Sequence, residues 1–295
     1  MQAGRDKVRK RPHRLLPLVL QDYNTHHCLK QYHFQNVAPP RVSSYNAGVD
    51  SWSVGFGEGD PERLLGVEAG RSWTPVPLGR KEGQPPPAPS RATIKLRVVA
   101  DYICPWCYIG SARAYRIAQE LAIQLEPWPY ELLPYLPKEG LPREVALGRH
   151  YPEAYLRRLQ DEAASDGLTF QVPLRVPNTH LAHEAVQFAL EKGRGWEMHR
   201  ALYEAYWARG EDIGEAQVLV TIAHRLGLDG RELDEALSQG RYHHVVEEKI
   251  AWAQAQGIAG VPTFLFGDTG FALVGAQDFQ TFRLVAQRVI ERTKP

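Results

Sequence analysis

The chain has 295 residues, 43% of them hydrophobic, and its 35 Lys and Arg nearly balance 34 Asp and Glu, for a formal net charge of +1. That balance points to neither nucleic acid nor an anionic membrane as a partner, and no apolar run approaches the ~20 residues that span a bilayer. Three cysteines are too few for a disulfide-stapled secreted fold, and a prior of ~150 residues per domain suggests one or two domains.

Residues 1–92 carry no sustained periodicity and read as a disordered leader, with a small partner-binding segment or an over-extended start of translation as the alternatives. Lys7, Arg9, Lys10, Arg11 and Arg14 precede the apolar run Leu15-Leu16-Pro17-Leu18-Val19-Leu20. The run is shorter than an h-region of ~7–15 residues, contains Pro17, and is not followed by a small-residue cleavage site. The cytoplasm is therefore the expected compartment. The leader closes on Gly83-Gln84-Pro85-Pro86-Pro87-Ala88-Pro89-Ser90, an extended linker, and Cys28 within it reads as incidental.

Residues 94–100 then form a short β-branched run that predicts a strand. Cys104-Pro105-Trp106-Cys107 follows, and from Tyr108 to Ile123 apolar residues recur at helical spacing. The two cysteines thus stand where a strand turns into a helix. Pro105 suits the first helical turn, where its missing N–H is not needed. Cys104 falls at the helix N-terminus, where unpaired N–H groups and the helix dipole favour a thiolate. Such a placement in a Cys-X-X-Cys motif can bring a thiol from ~8.5 into the range of roughly 3.5–7.5. Cys107, one turn in, is expected to face the strand and to be the less exposed of the two. The pattern suggests Cys104 as attacking and Cys107 as resolving thiol. A zinc half-site is the alternative, but no second Cys or His pair follows at ligand spacing. Two ordinary core cysteines are the other, and the strand–motif–helix context argues against them.

Residues 125–133 predict a second strand, in which Pro127 and Pro129 point to pairing on one side only. Strand, helix and strand make a βαβ unit with a parallel pair. Residues 142–257 read as wholly helical: Tyr151 to Ala164, a helix capped by Asn178, Trp196 to Trp207, Glu215 to Leu226, Arg231 to Gln239 and Tyr242 to Gln256. Glycines stop several of these helices. Gly260-Val261-Pro262-Thr263-Phe264-Leu265-Phe266, the turn Gly267-Asp268-Thr269-Gly270, and Phe271-Ala272-Leu273-Val274 predict an antiparallel hairpin. A last amphipathic helix spans residues 278–292. His180, His183, His243 and His244 read as surface or satisfied core histidines, and Trp196, Tyr203, Tyr206 and Trp207 as core or cleft wall.

This order of elements resembles the DsbA-type thioredoxin fold, an α/β fold with an all-helical insertion. Cys104-Pro105-Trp106-Cys107-Tyr108-Ile109-Gly110, Gly260-Val261-Pro262-Thr263-Phe264, Gly275-Ala276-Gln277, and Asn178-Thr179 with Ala182-His183 resemble its FrnE-like branch. That branch is related to 2-hydroxychromene-2-carboxylate isomerases and kappa-class glutathione transferases. The resemblance covers residues 93–295, with the thioredoxin part at 93–141 and 258–295 and the insertion at 142–257.

The resemblance implies a nucleophilic Cys104, a resolving Cys107, and a cis Pro262 beside them. It also implies substrate contacts from Pro105, Trp106, Val261, Pro262 and Thr263. The isomerase and transferase relatives usually carry serine at the first position and use glutathione. Retention of both cysteines therefore favours dithiol–disulfide exchange. Histidine is absent between the cysteines, and Asp101 stands nearby to oppose a thiolate, so extreme oxidising power is not expected. The expected partners are protein or small-molecule thiols and disulfides, handled by a monomer or homodimer, with no nucleic acid, membrane or metal. No cofactor is expected beyond glutathione. A glutathione-dependent isomerase or transferase on a small aromatic substrate, and a redox-sensing interaction protein, are the alternatives.

Overall fold

The computed structural model describes residues 94–148 and 150–293. The expected leader, its basic cluster and Cys28 lie outside the described residues. In chain order the elements begin with β1 (Lys95–Ala100), α1 (Pro105–Leu121), β2 (Gln124–Pro129), β3 (Leu141–Pro142), α2 (Arg143–Leu147) and α3 (Glu153–Ser165). Next come β4 (Arg175–Val176), α4 (His180–Glu191), α5 (Gly195–Tyr203), a π-helical turn (Glu204–Ala208) and α6 (Ala216–Arg225). The chain continues with α7 (Gly230–Ser238), α8 (His243–Ala255), β5 (Thr263–Phe266), β6 (Ala272–Val274) and α9 (Phe279–Thr293).

The main sheet has the order β2-β1-β5-β6. β1 pairs parallel with β2 from Lys95↔Gln124 to Ala100↔Pro129, and antiparallel with β5 from Leu96↔Phe266 to Val99↔Thr263. β2 is an edge strand. That placement admits Pro127 and Pro129, because a missing N–H on the open side breaks no ladder bond. The strand ends at Pro129, short of the expected residue 133. Tyr130 still donates its N–H to Ala100 O, but Leu132 N then turns to the Asp101 carboxylate.

Leu96, Val98, Ile109, Ile117, Phe264, Phe266 and Phe282 are fully buried and form the centre of the thioredoxin part. Burial of a large apolar side chain stabilises by roughly 1.5–3 kcal/mol, which makes this the main term holding sheet and helix together. Phe264 and Phe282 pack with ring centroids 4.5 Å apart and tie β5 to α9.

Three details of the 142–257 block differ from expectation. It is not all helical, because β3 pairs antiparallel with β4. The segment expected as one helix from Trp196 to Trp207 instead changes at Glu204 into a π turn. The capping position of α4 is Thr179 rather than Asn178, although Asn178 Oδ1 still accepts from His180 N at 3.0 Å. Where glycine stops were expected, Gly227 and Gly257 sit at φ 74° and 80°, left-handed values that residues with a Cβ rarely adopt.

Candidate active site

Three short pieces meet at one end of the sheet: the β1–α1 turn, the loop before β5, and the stretch after β6. Cys104 is the N-cap of α1, with Pro105 at the first helical position. Its N–H donates to Asp101 O at 3.2 Å, and its carbonyl accepts from Cys107 N at 3.1 Å. Neither Cys104 nor Cys107 is in a disulfide. Both side chains are fully buried, so the expected difference in exposure does not exist. The distinction between the two sulfurs is positional: one caps the helix, the other lies inside its first turn.

The Val261–Pro262 peptide is cis, and the loop faces the motif. Cys104 Sγ lies 3.9 Å from Val261 O, to which its thiol donates. Pro262 O accepts from Gly275 N at 2.8 Å, so the stretch after β6 supports the loop. Thr263 is buried, and its hydroxyl donates to Gly260 O at 2.7 Å, which shapes the loop from within. Trp106 sits at the edge of the buried shell. Its Nε1 donates to Tyr155 OH at 3.1 Å, and the Arg158 guanidinium lies 5.4 Å from its ring centre.

Contact between α1 and this loop is close at Gly110. A Cβ there would lie 3.0 Å from Phe264 Cζ and 3.1 Å from Pro262 Cγ. Further along α1, Arg113 is almost fully buried and makes four bonds. Its Nε and Nη2 reach Asp166 and Glu162 at 2.6 Å each, and Nη1 donates to Ala276 O and Gln277 O at 3.0 Å. One side chain thus ties α1 to the end of α3 and to the Gly275-Ala276-Gln277 stretch. Sequence reading passed over it, since an arginine in an amphipathic helix normally reads as solvated. Its place between apolar Ala112 and Ala114 was the available signal.

The helical insertion holds the turn before Cys104 in place. Tyr203 OH donates to Asp101 O at 3.1 Å, and Trp207 Nε1 donates to Tyr102 O at 2.8 Å. Both residues are fully buried and bound the site; of the other aromatics expected as core or cleft wall, Tyr206 is buried but donates to Arg175 O, and Trp196 is half-buried. Tyr203 and Trp207 stand on either side of the start of the π turn, a geometry that often re-aims side chains at functional sites.

The ionisable groups behind the thiols are kept mostly neutral. Burial pushes the Asp101 carboxyl up to about 7, although Leu132 N at 2.7 Å and other bonds pull the other way. Near neutral pH it is therefore partly protonated, which weakens the opposition to a thiolate expected from sequence. Burial drives His199 down to about 3 and His183 down to about 4. His199 is neutral and satisfied, bonded to Tyr102 OH at 3.0 Å and Ser111 Oγ at 3.1 Å. His183 donates from Nε2 to Tyr130 O at 3.1 Å. Both behave as core histidines, as expected of His183. Burial also pushes the Tyr102 and Tyr203 hydroxyls well above their usual range.

A cavity of about 420 Å³ opens on the flank of α1, one turn past the motif. Tyr108, Ser111, Arg116, Thr169, Arg200 and Arg209 are among its lining residues. Its three cations already face carboxylates: Arg116 meets Asp166 at 2.9 Å, Arg200 meets Glu204 at 3.5 Å, and Arg209 meets Glu211 at 2.7 Å.

Among the described residues no helix is long and apolar enough to cross a membrane. A protein of Bacillus subtilis strain 168, the uncharacterized protein YwbO, is 29% identical over 180 residues, covering 60% of this chain and 88% of YwbO. Among solved structures, a probable DsbA oxidoreductase from Streptomyces coelicolor matches with a TM-score of 0.62 at 24% identity, over 68% of this chain and 92% of that one. A 2-hydroxychromene-2-carboxylate isomerase matches with a TM-score of 0.55 at 17% identity, over 67% of this chain and 97% of that one. At these identities the solved structures speak for the fold. The profile of the DSBA-like thioredoxin domain matches residues 95–286, and it supports thiol–disulfide oxidoreductase or isomerase chemistry in the broad sense. With the cis loop facing the motif, and that profile matching well over half its length, this chain belongs to the DSBA-like thioredoxin domain family.

Proposed function

We propose that the chain is a thiol–disulfide oxidoreductase in which Cys104 attacks and Cys107 resolves. One observation carries the reading: Cys104 caps α1 and its sulfur lies 3.9 Å from the carbonyl of the cis loop at Val261. The helix N-terminus favours the Cys104 thiolate. That thiolate attacks one sulfur of a substrate disulfide, forms a mixed disulfide, and releases the other sulfur as a thiolate that takes up a proton. Cys107 then loses its proton and attacks Cys104. The Cys104–Cys107 bond forms, the mixed disulfide breaks, and the second substrate thiol leaves. The dithiol loses two electrons and the substrate disulfide gains them. After this direction a low-molecular-weight or protein thiol reduces the Cys104–Cys107 disulfide and restores the dithiol; the reverse sequence oxidises a substrate dithiol and itself leaves Cys104 and Cys107 reduced.

Asp101 titrates in the range where these proton transfers occur, because burial holds it at about 7. The backbone of Val261, whose carbonyl faces Cys104 Sγ, suits pairing with an extended substrate segment added as a strand, which would present its sulfur to Cys104. Since Cys104 is fully buried, a substrate reaches it only when neighbouring side chains yield. Trp106, held by Tyr155, stands where such yielding would begin. The reading assigns protein or small-molecule disulfides as substrates, no resident cofactor, and a reducing compartment, the cytoplasm, as the place of exchange.

Insulin reduction with a thiol donor tests the reading. The parent should turn over, Cys104→Ser should not, and Cys107→Ser should accumulate mixed disulfides. In the reduced parent, alkylation at mildly acidic pH should label Cys104 before Cys107. Equal labelling, or turnover by Cys104→Ser, overturns the assignment.

A second reading, a glutathione-dependent isomerase or transferase, is favoured by the cavity beside Tyr108 and Ser111, whose volume suits a small ligand. Arg116, Arg200 and Arg209 match the carboxylates of glutathione in charge, but each already has an acidic partner. Binding there would have to displace existing pairs, which ranks this reading second. Calorimetric titration of glutathione into the reduced chain decides between them: tight saturable binding favours the second, and its absence leaves the first.

A further inference from the structure

We propose that His180, Glu184 and His243 form a binding site for a divalent transition cation of the zinc type, which clamps the start of α4 to the start of α8. This departs from the expectation that the chain holds no metal, and it does not rest on the thiol chemistry above.

The three residues converge from two helices that pack on each other. His180 and Glu184 stand at i and i+4 on α4, so they share one face. His243 opens α8. One donor atom from each lies within 4.8 Å of the other two. His180 Nε2 is 2.7 Å from His243 Nδ1 and 3.7 Å from Glu184 Oε1. With metal bonds of about 2.0–2.2 Å, adjacent ligands of a tetrahedral ion stand roughly 3.3–3.5 Å apart. The His180–Glu184 spacing is near that value, and His243 and Glu184, within 4.8 Å, have to close towards it. The two nitrogens need to separate by about 0.6 Å, which a modest turn of the His243 ring supplies, since more than half of that side chain is exposed.

Two independent observations point to a ligand rather than to a surface cluster. The first is the Glu184 carboxylate, which is 98% buried as judged by its 2% exposure and whose Oε2 has no hydrogen-bond partner among the described residues. An unpartnered buried carboxylate oxygen is costly, and a cation would satisfy it. The second is the arrangement around the rings. His180 Nδ1–H donates to Glu131 Oε1 at 2.7 Å, and His243 Nε2 faces Glu247 Oε1 at 3.4 Å. The inner nitrogens, His180 Nε2 and His243 Nδ1, share one hydrogen bond at 2.7 Å, and a cation bound there would take the place of its proton. Carboxylates on the outer nitrogens of two imidazoles are also the usual outer support of metal-bound histidines. A two-histidine, one-glutamate set leaves a fourth position for water, and imidazole with carboxylate suits zinc and its neighbours.

The test uses the full chain with Cys104→Ser and Cys107→Ser, which removes the motif thiolates, and titrates zinc chloride into it by calorimetry. One equivalent should bind, and thermal stability should rise with zinc because only the folded chain presents the site. Adding His243→Ala should weaken binding by more than about tenfold and abolish the thermal shift, while the melting temperature without zinc changes little. Glu131→Gln should weaken binding about 10–100-fold by loosening His180. Cobalt in place of zinc should give a visible band without thiolate charge transfer, altered in His243→Ala. Absence of zinc binding, or binding and cobalt spectrum unchanged by both His243→Ala and His180→Ala, overturns the proposal.

Discussion

The starts of α1 and α4 handle charge in opposite ways. Around the thiols at the start of α1, burial removes charge: His199 is held down at about 3 and Asp101 up at about 7. At the start of α4 burial acts in the same direction but pairing overrides it. Burial alone would raise Glu131 and lower His180, yet their mutual hydrogen bond at 2.7 Å and nearby charges lower Glu131 and raise His180. The difference follows from access to water and partners. A group sealed in an aromatic shell loses more to desolvation than its neighbours return and neutralises, whereas a half-buried group beside an opposite charge keeps its own. The first environment suits a sulfur nucleophile whose only strong field is a helix N-terminus.

The sharpest way to break the comparison is to remove the nucleophile. Cys104→Ser should reduce insulin-reduction turnover to the level without enzyme while leaving zinc binding at the α4 start unchanged, which shows that the two regions work independently.

Arg113 is the exception that tests the rule. It is buried in the thioredoxin part yet keeps its charge, through Asp166 and Glu162. Arg113→Met leaves the nearly sealed Asp166 carboxylate with only Arg116 as a cation. The expected loss is about 3–5 kcal/mol, read from the urea midpoint. A loss below about 1 kcal/mol would mean that the network is dispensable.

Packing at the motif can be probed without touching charge. Gly110→Ala places a methyl against Phe264 and Pro262, and the crowded interface should lose about 1–3 kcal/mol. Turnover should fall with it, because the cis loop is pushed from Cys104. Full activity in this variant would show that the loop can shift without consequence.

The smallest effect is a slope. The folded Asp101 titrates at about 7 against 3.8 for an ordinary carboxyl. Between those values the folded chain holds a proton that the unfolded chain has lost, so this group makes stability fall as pH rises through the window and level off above it. Asp101→Asn should flatten that part of the stability profile measured by denaturant titration. An unchanged slope would show that the group does not titrate in this window.

Much of this was legible along the chain. The strand, Cys104, Pro105, Trp106, Cys107 and the helix could be read in order because strand period, helix period and the N-terminal preference for proline are local properties. The same holds for Val261 and Pro262 before an apolar strand, and for the edge placement of β2, which its prolines announce. Other features were not legible. Arg113 meets Glu162 and Asp166, some fifty residues on, and only the folded chain shows that they seal it. The π turn at Glu204 follows from what Tyr203 and Trp207 must reach at Asp101 and Tyr102, and no local pattern encodes that reach.

By itself the sequence determined the order of elements, the βαβ start, the hairpin close and the position of the Cys-X-X-Cys motif, since each depends on neighbours within a turn or a strand. Tertiary structure alone decided which charges survive. Burial of both cysteines, the neutral state of His199, the near-neutral titration of Asp101 and the meeting of His180 with His243 all depend on groups far apart in the chain. A pKa is set by the dielectric and the charges within a few ångströms, and the fold chooses those neighbours.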